Sequence, residues 1–155
     1  MRIIDSIFGE LEYNYIWSSN VIIDFLGKET KISLMINGDD DGIFEEEQYI
    51  AYTSFMKEWG NLQEETLQQV LKYYKEKRHE LGYDVEEYEK YPLIESIEQL
   101  LQHINLVGIV IPYSGAYDGR ECGLTFDCTW DSENGIGVCF VNEKVIDVGY
   151  QDIVM

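Results

Sequence analysis

The segment from Asn37 to Gln48 has the spacing of oxygen donors that a calcium-binding loop uses. It reads NGDDDGIFEEEQ, so Asn37, Asp39 and Asp41 supply side-chain oxygens at the first, third and fifth positions, and glycine stands at the sixth. An EF-hand loop ends on a bidentate glutamate where this segment has Gln48, and the preceding KISLMI has the pattern of a strand rather than a helix. Asp39 and Asp41 are therefore candidate metal ligands, and the alternative is a turn in which their carboxylates accept hydrogen bonds from nearby amides.

A second group of carboxylates lies in the carboxy-terminal part of the chain. Asp127, Asp131, Glu133 and Asp152 could supply a general acid and a general base for glycosidic or metal-assisted hydrolysis if the fold brings them together. Strand alternation predicts that Asp127 points away from the core face that Phe126 shares. Asp131 and Glu133 stand next to an Asn-Gly pair, so turn formation is the alternative explanation of these two acids.

Strong enzyme signatures are missing from the chain. It contains no GxSxG, HExxH, GxxxxGK or GxGxxG pattern. The three cysteines form no CxxC pair, and Cys122 and Cys128 have the even separation that places two side chains on one face of a strand. We interpret both as small core residues rather than as metal ligands, nucleophiles or members of a disulfide. The sequence thus favours a noncatalytic protein without a cofactor.

Charge restricts the class of partner. The 155 residues include 30 Asp and Glu against 11 Lys and Arg, which gives a formal net charge of −19. This imbalance excludes a phosphate-binding surface as the main function, and with it a nucleic-acid partner, whereas an acidic surface rich in aromatic residues attracts a basic protein. Asp5 and Glu10 interrupt the amino terminus before it reaches the length of a signal peptide, and no apolar run approaches the ~20 residues of a membrane span. We expect a cytoplasmic protein without a membrane partner, and the oligomeric state stays open.

Hydrophobic periodicity predicts one domain, residues 1–155, in which strands precede and follow a helical block. The predicted strands are residues 8–17, 21–26, 31–36, 106–111, 121–130, 136–141 and 145–150. Glycine at Gly60, followed by a possible capping box at Asn61, predicts a break between two helices, the second of which ends at Gly82, and Pro92 predicts the start of a third. Segregated strands and helices favour an α+β fold: a mainly antiparallel sheet from the N- and C-terminal strands, with about three helices packed on one face.

The stretch from Gly123 to Val154 reads GLTFDCTWDSENGIGVCFVNEKVIDVGYQDIV. Its elements FDCTWD, ENGIGV and VGYQDI resemble the carboxy-terminal block of an uncharacterised bacterial family, catalogued as a domain of unknown function. The central helices, with Tyr73 and Tyr74 near the end of the longer one, resemble the same family more loosely. The resemblance implies no activity, and Asn134 stands where the family pattern often has histidine.

Charge and the missing motifs together predict a noncatalytic protein-binding domain, and more specifically an immunity protein that neutralises a basic toxin. The alternatives are a carboxylate-dependent or metal-assisted hydrolase and a calcium-stabilised structural module. The candidate partner-binding residues are acids and one tyrosine in predicted loops and turns: Asp118, Asp131, Glu133, Glu86, Glu87 and Tyr88.

Overall fold

The strands form one continuous sheet, and a long helix covers one of its faces. The computed structural model describes residues 1–82 and 89–155. The sheet has eight strands whose spatial order follows the chain: β1 Arg2–Asp5, β2 Gly9–Asn14, β3 Ile16–Phe25, β4 Lys28–Ile36, β5 Ile104–Ile111, β6 Glu121–Cys128, β7 Ile136–Val141 and β8 Lys144–Gly149. The helices are α1 Glu46–Glu80 and α2 Ile97–Leu100, and a 3-10 turn, Gln151–Ile153, lies near the end of the chain.

The predicted fold class is wrong in its helices and in its sheet. Within the described residues the chain forms two helices instead of about three, and β4 and β5 pair in parallel, so that the sheet is mixed. A parallel pair of neighbouring strands requires a crossover connection, and α1 and α2 lie in that connection. Neither helix in this part of the chain is long and apolar enough to cross a membrane.

The predicted break at Gly60 is absent because the buried stripe of α1 continues through it. Phe55, Trp59, Gln63 and Leu67 are all buried, and they fall on one face of a helix at intervals of four residues. The packing of this stripe against the sheet outweighs the roughly 0.5–1 kcal/mol by which an interior glycine weakens a helix. Local propensity at one residue was therefore a poor guide to where the helix ends.

Gly60 gives a direct test of that balance. It lies on the exposed side of α1, and a β-carbon placed there would meet no atom within 4 Å. We expect Gly60→Ala to raise the free energy of unfolding by about 0.5–1 kcal/mol in urea denaturation, because alanine restricts the unfolded chain and favours the helix. Gly82→Ala is the control and should destabilise, since Gly82 has a φ of +81°. A loss of stability in Gly60→Ala would contradict this account.

The main core lies between α1 and the sheet. Cys122 and Cys128 are buried in it, as their spacing predicts. The largest side chains that are almost fully buried are aromatic: Trp17, Trp130, Tyr74, Phe55, Phe126 and Phe140.

The last residues of the chain fold back over the opposite face of the sheet, at β6 and β7. Gln151 Nε2 donates a 2.8 Å hydrogen bond to Phe126 O, and Gln151 N donates a 2.9 Å bond to Asn134 O. A β-carbon at Gly123 would lie 2.6 Å from Val154 Cβ, so glycine is what lets the tail come this close. The segments FDCTWD, ENGIGV and VGYQDI therefore meet at one place, where they hold the tail on the sheet.

Candidate functional site

Two loops meet at the end of the sheet where the parallel strands β4 and β5 both terminate. Residues 37–45 follow β4, and residues 112–120 follow β5. The Tyr113 hydroxyl donates a 3.1 Å hydrogen bond to Asp39 Oδ1 across the two loops. Because the carboxyl ends of parallel strands share one edge of a sheet, residues from distant parts of the sequence become neighbours here.

Gln48, in the first turn of α1, ties these loops together. Its side chain is buried, and its Nε2 donates hydrogen bonds of 2.8 Å to Asn37 O and 3.2 Å to Pro112 O. Its Oε1 accepts a 2.9 Å bond from Glu45 N, and Glu45 Oε1 accepts a 2.8 Å bond from Ser114 N. An amide both donates and accepts, whereas the glutamate of an EF-hand loop could only accept while ionised. These hydrogen bonds therefore explain why position 48 has glutamine rather than glutamate.

We call the exposed surface formed by these loops and the first turn of α1 the acidic end. Its exposed carboxylates are Asp39, Asp40, Asp41, Glu46, Glu47 and Asp118. Tyr113 and Tyr117 lie in the same surface and are 46% and 50% exposed. Residues 37–50 and 112–119 include no Lys or Arg, and Arg120, which ends the second loop, forms an ion pair with Glu143. The acidic end thus combines uncompensated negative charge with large exposed rings.

Asp39 and Asp41, the candidate metal ligands, both take part in the turn. Asp39 O accepts a 2.7 Å bond from Trp17 Nε1, and Asp41 Oδ1 accepts a 3.0 Å bond from Ile43 N. Across residues 1–82 and 89–155, no group of three or more His, Cys, Asp or Glu side chains is arranged to hold a metal ion. Calcium binding stays a prediction, and melting curves with calcium and with a chelator test it, because a bound ion would raise the midpoint.

The surroundings of Tyr113 at the acidic end favour the neutral form of its phenol further. Desolvation, the hydrogen bond to Asp39 and the negative charge of Asp39 and Glu45 all raise the pKa of the Tyr113 phenol. The ring therefore remains a neutral donor throughout the physiological range, and it can present both an apolar face and a polar tip to a partner.

An apolar groove adjoins the acidic end and was not foreseen from the sequence. It has a volume of about 140 Å³ and lies between the loop 112–120 and the carboxy-terminal residues. Tyr113 and Tyr117 line one side, and Ile153 and Met155, which are 38% and 60% exposed, line the other. No sequence pattern could have predicted this groove, because it exists only where the tail folds back beside a loop more than thirty residues earlier.

The structure does not bring the predicted partner-binding residues together. Asp118 belongs to the acidic end, whereas Asp131 and Glu133 follow β6 at the opposite end of the sheet. The eight residues of β6 separate the two groups by about 27 Å. The other three predicted residues, at positions 86–88, lie outside the residues that the structure describes.

Asp131 stabilises its own turn. Its carboxylate accepts bonds of 3.2 Å from Asn134 N and 2.9 Å from Asn134 Nδ2. Desolvation alone would raise the pKa of Asp131, but these hydrogen bonds outweigh it, and the pKa is lowered. A general acid in hydrolysis needs a raised pKa so that it still carries its proton at neutral pH. Asp131 is therefore poorly suited to that role, and Asp127 accepts a 3.3 Å bond from Gln151 Nε2.

The thiols are held in their neutral form. Burial raises the pKa of Cys128 to about 11 and also raises the pKa of Cys122. The thiolate is the reactive species, so neither residue has the properties of a nucleophile at neutral pH.

Arg78 is a further residue that the sequence reasoning missed. It is buried on α1, and it stands four residues after the core residue Tyr74. That spacing on the buried stripe was the available signal, since arginine is rarely buried without a partner.

Comparison with known proteins gives a family and no function. Neither the curated proteins nor the solved structures that were searched include a match to this chain. A family model described as a domain of unknown function, DUF6985, matches residues 7–155. The match covers nearly the whole chain, including every strand except β1. The protein therefore belongs to this family of domains of unknown function, DUF6985.

Proposed function

We propose that this protein is a noncatalytic binding domain whose acidic end contacts a basic protein. One observation carries the proposal: the hydrogen bond from Tyr113 to Asp39 joins two distant segments that carry exposed carboxylates, and residues 37–50 and 112–119 include no Lys or Arg. Arg120, the last residue of the second loop, is paired with Glu143. On α1, by contrast, acids alternate with basic residues such as Lys57 and Lys72. The carboxylates of the acidic end therefore lack basic neighbours within their own segments.

Each component of this surface has a recognised role in protein association. Uncompensated charge speeds the encounter with an oppositely charged partner and orients it. Exposed tyrosines provide rigid anchors that bury a large area at small entropic cost. The apolar groove beside Tyr117 could receive one aliphatic or aromatic side chain of the partner, as the centre of a protein interface requires.

The finer form of the proposal is an immunity protein in a bacterial cytoplasm that neutralises a basic toxin by covering its surface. Its support is the formal net charge of −19 together with the missing enzyme signatures. A hydrolase is the weaker candidate, because Asp131 is committed to its turn and has a lowered pKa.

A pair of charge-matched variants tests the proposal. The first variant is Asp40→Asn/Glu46→Gln/Glu47→Gln, which removes three charges from the acidic end without touching the hydrogen bonds of Asp39 and Asp41. The control is Glu29→Gln/Glu64→Gln/Glu76→Gln, which removes three exposed charges elsewhere. Proteins that bind the immobilised wild type at low salt and leave it at high salt are identified, and their association rates are then measured with each variant.

We expect the acidic-end variant to associate about tenfold more slowly than the wild type at low salt, with the control close to the wild type. Equal rates for the two variants would show that only total charge matters and would contradict a localised site. The proposal would also be contradicted if no basic protein bound to the wild type in a salt-sensitive way.

A further inference from the structure

Arg78 carries a buried charge that the described part of the chain does not neutralise. The residue is only 2% exposed, and its Nε donates a 2.9 Å hydrogen bond to Tyr91 O. Nη1 and Nη2 are also buried, and neither has a hydrogen-bond partner there. A buried guanidinium without a counter-ion is strongly unfavourable. An anion from solution that binds beside Arg78 would neutralise this charge.

A pocket adjoins this side chain between the end of α1 and the segment that leads to α2. Its volume is about 350 Å³. Among the described residues, its lining consists of two cations, two aliphatic side chains and one carboxylate: Lys75, Arg78, Leu93, Ile94 and Glu95. Ile94 is fully buried, and Leu93 is partly exposed, so the apolar wall runs from the core to the surface.

We propose that this pocket binds a small organic carboxylate that has an apolar body. The two unpaired nitrogens of Arg78 form a planar fork, which matches the two oxygens of a carboxylate. Lys75 adds a second positive charge at the exposed side, and Leu93 and Ile94 offer apolar surface to the rest of the ligand. The apolar wall should therefore favour binding of a hydrophobic acid over binding of a small, fully hydrated anion.

The surroundings of the pocket favour one negative charge over two. Glu95 lines the same pocket, and the formal net charge of the chain is −19. Both disfavour a dianion such as phosphate more than a monoanion, because the repulsion grows with the charge of the ligand. The ligand class is therefore a monocarboxylate. The pocket is separate from the acidic end, so this inference does not depend on the proposed function.

The experiment measures binding of benzoate and hexanoate to the whole protein in a zwitterionic buffer without other carboxylates. Melting midpoints and heats of binding are recorded for the wild type, Arg78→Met and Arg2→Met, with inorganic phosphate as a comparison probe. Arg2 is an exposed arginine, so Arg2→Met controls for the change in net charge. We expect both carboxylates to raise the midpoint of the wild type and of Arg2→Met, and the dissociation constant of Arg78→Met to be at least about tenfold higher.

A second pair of variants covers the case in which Arg78→Met does not fold. Lys75 and Lys72 are both exposed on α1, but only Lys75 lines the pocket. Lys75→Gln should weaken benzoate binding, and Lys72→Gln should leave it unchanged. Equal effects of the two variants would overturn the proposal.

The stability of the ligand-free protein provides an independent test of the proposal. Removing an unpaired buried charge should leave Arg78→Met at least as stable as the wild type in carboxylate-free buffer. Suppose that Arg78→Met is instead strongly destabilised, and that Asp84→Asn/Glu86→Gln/Glu87→Gln shows the same loss. The counter-ion would then belong to the chain itself, and the proposal would be wrong. Phosphate binding as tight as benzoate binding, or no response to either carboxylate, would also overturn it.

Discussion

Replacing Gln48 by glutamate is expected to lower the free energy of unfolding by about 3–5 kcal/mol at neutral pH. The new carboxylate would be buried, since the glutamine side chain is 1% exposed. It would face the carbonyl oxygens of Asn37 and Pro112, to which the amide now donates. Both carbonyls would lose their donor, and an uncompensated charge would lie beside them. Among single substitutions at the ends of β4 and β5, this one should have the largest effect.

The loss should depend on pH in a defined direction. Burial and the facing carbonyls disfavour the charged form, so the pKa of the introduced carboxyl group in folded Gln48→Glu should lie above the value of about 4.3 in the unfolded chain. A group whose pKa is raised on folding stabilises the protein below its unfolded pKa, and that contribution is lost as the pH rises through the folded pKa. The protonated acid can also donate to Asn37 O as the amide does. The difference from the wild type should therefore shrink as the pH falls towards about 4.3.

Two further variants separate the charge from the lost hydrogen bonds. Gln48→Met removes the donor and the acceptor without adding a charge, and should cost about 2–3 kcal/mol at any pH. Gln68→Glu adds the same charge at an exposed position of α1 and should change stability little. Urea denaturation of all variants and the wild type at several pH values gives the comparison. Two results would refute the proposed role of Gln48 as a buried hydrogen-bond donor. One is a stability loss in Gln48→Glu that does not change with pH, and the other is a Gln48→Glu that is more stable than Gln48→Met at neutral pH.

Gln48 also shows why the sequence could predict strands better than the site. Strand alternation and turn residues are local, and β7 occupies the residues predicted for it. The pairing of β4 with β5 is not local, because the strands are joined through α1 and α2, and no pattern in either strand reveals its neighbour. In the prediction of a calcium loop, Gln48 was the residue that departed from the EF-hand pattern. Its hydrogen-bond partners lie in two segments that only the parallel pairing of β4 and β5 brings together.

The predicted contact residues lie apart in the structure for the same physical reason. Asp118 and Asp131 are close in sequence, but a whole strand lies between them, so that they stand at opposite ends of the sheet. Conversely, Asp39 and Tyr113 are 74 residues apart and share a hydrogen bond. The acidic character of the surface could be predicted from the composition. The placement of Asp39 beside Tyr113 could not, because it depends on which strands are neighbours in the sheet.

Gly137→Ala is expected to lower the free energy of unfolding by about 3 kcal/mol through displacement of the carboxy-terminal tail. A β-carbon at Gly137 would lie 2.6 Å from Tyr150 O and 3.1 Å from the Cα of Gln151. Both are backbone atoms, so a side-chain rotation cannot relieve the overlap. The tail must move, and its bonds from Gln151 to Phe126 O and from Gln151 N to Asn134 O would be weakened.

Gly149 provides a matched control because it is the register partner of Gly137 across β7 and β8. A β-carbon there would meet only side-chain atoms of Ile153, the nearest at 3.2 Å. A flexible side chain can move by a few tenths of an ångström, so Gly149→Ala should cost less than about 1 kcal/mol. The two variants make the same chemical change in paired strands and differ in whether the backbone of the tail lies in the way.

Cys139 reports directly on the position of the tail. Its Sγ lies 3.5 Å from Ile153 O, and burial, together with the charges of Asp147 and Glu121, raises its pKa. A tail that moves away exposes this thiol, and a better solvated thiol ionises and reacts more readily. Alkylation of Cys139, resolved from that of the buried Cys122 and Cys128 by mass spectrometry of peptides, should be severalfold faster in Gly137→Ala than in Gly149→Ala.

The two measurements together decide what the glycine does. Lower stability with faster alkylation of Cys139 means that Gly137 is required for the tail to pack on the sheet. Lower stability with unchanged alkylation would mean that the tail stays in place while the strands absorb the strain, which contradicts this account. Because Ile153 also lines the apolar groove beside Tyr117, displacement of the tail should open that groove. Weaker partner binding by Gly137→Ala, with the acidic end intact, would then place the groove within the binding surface.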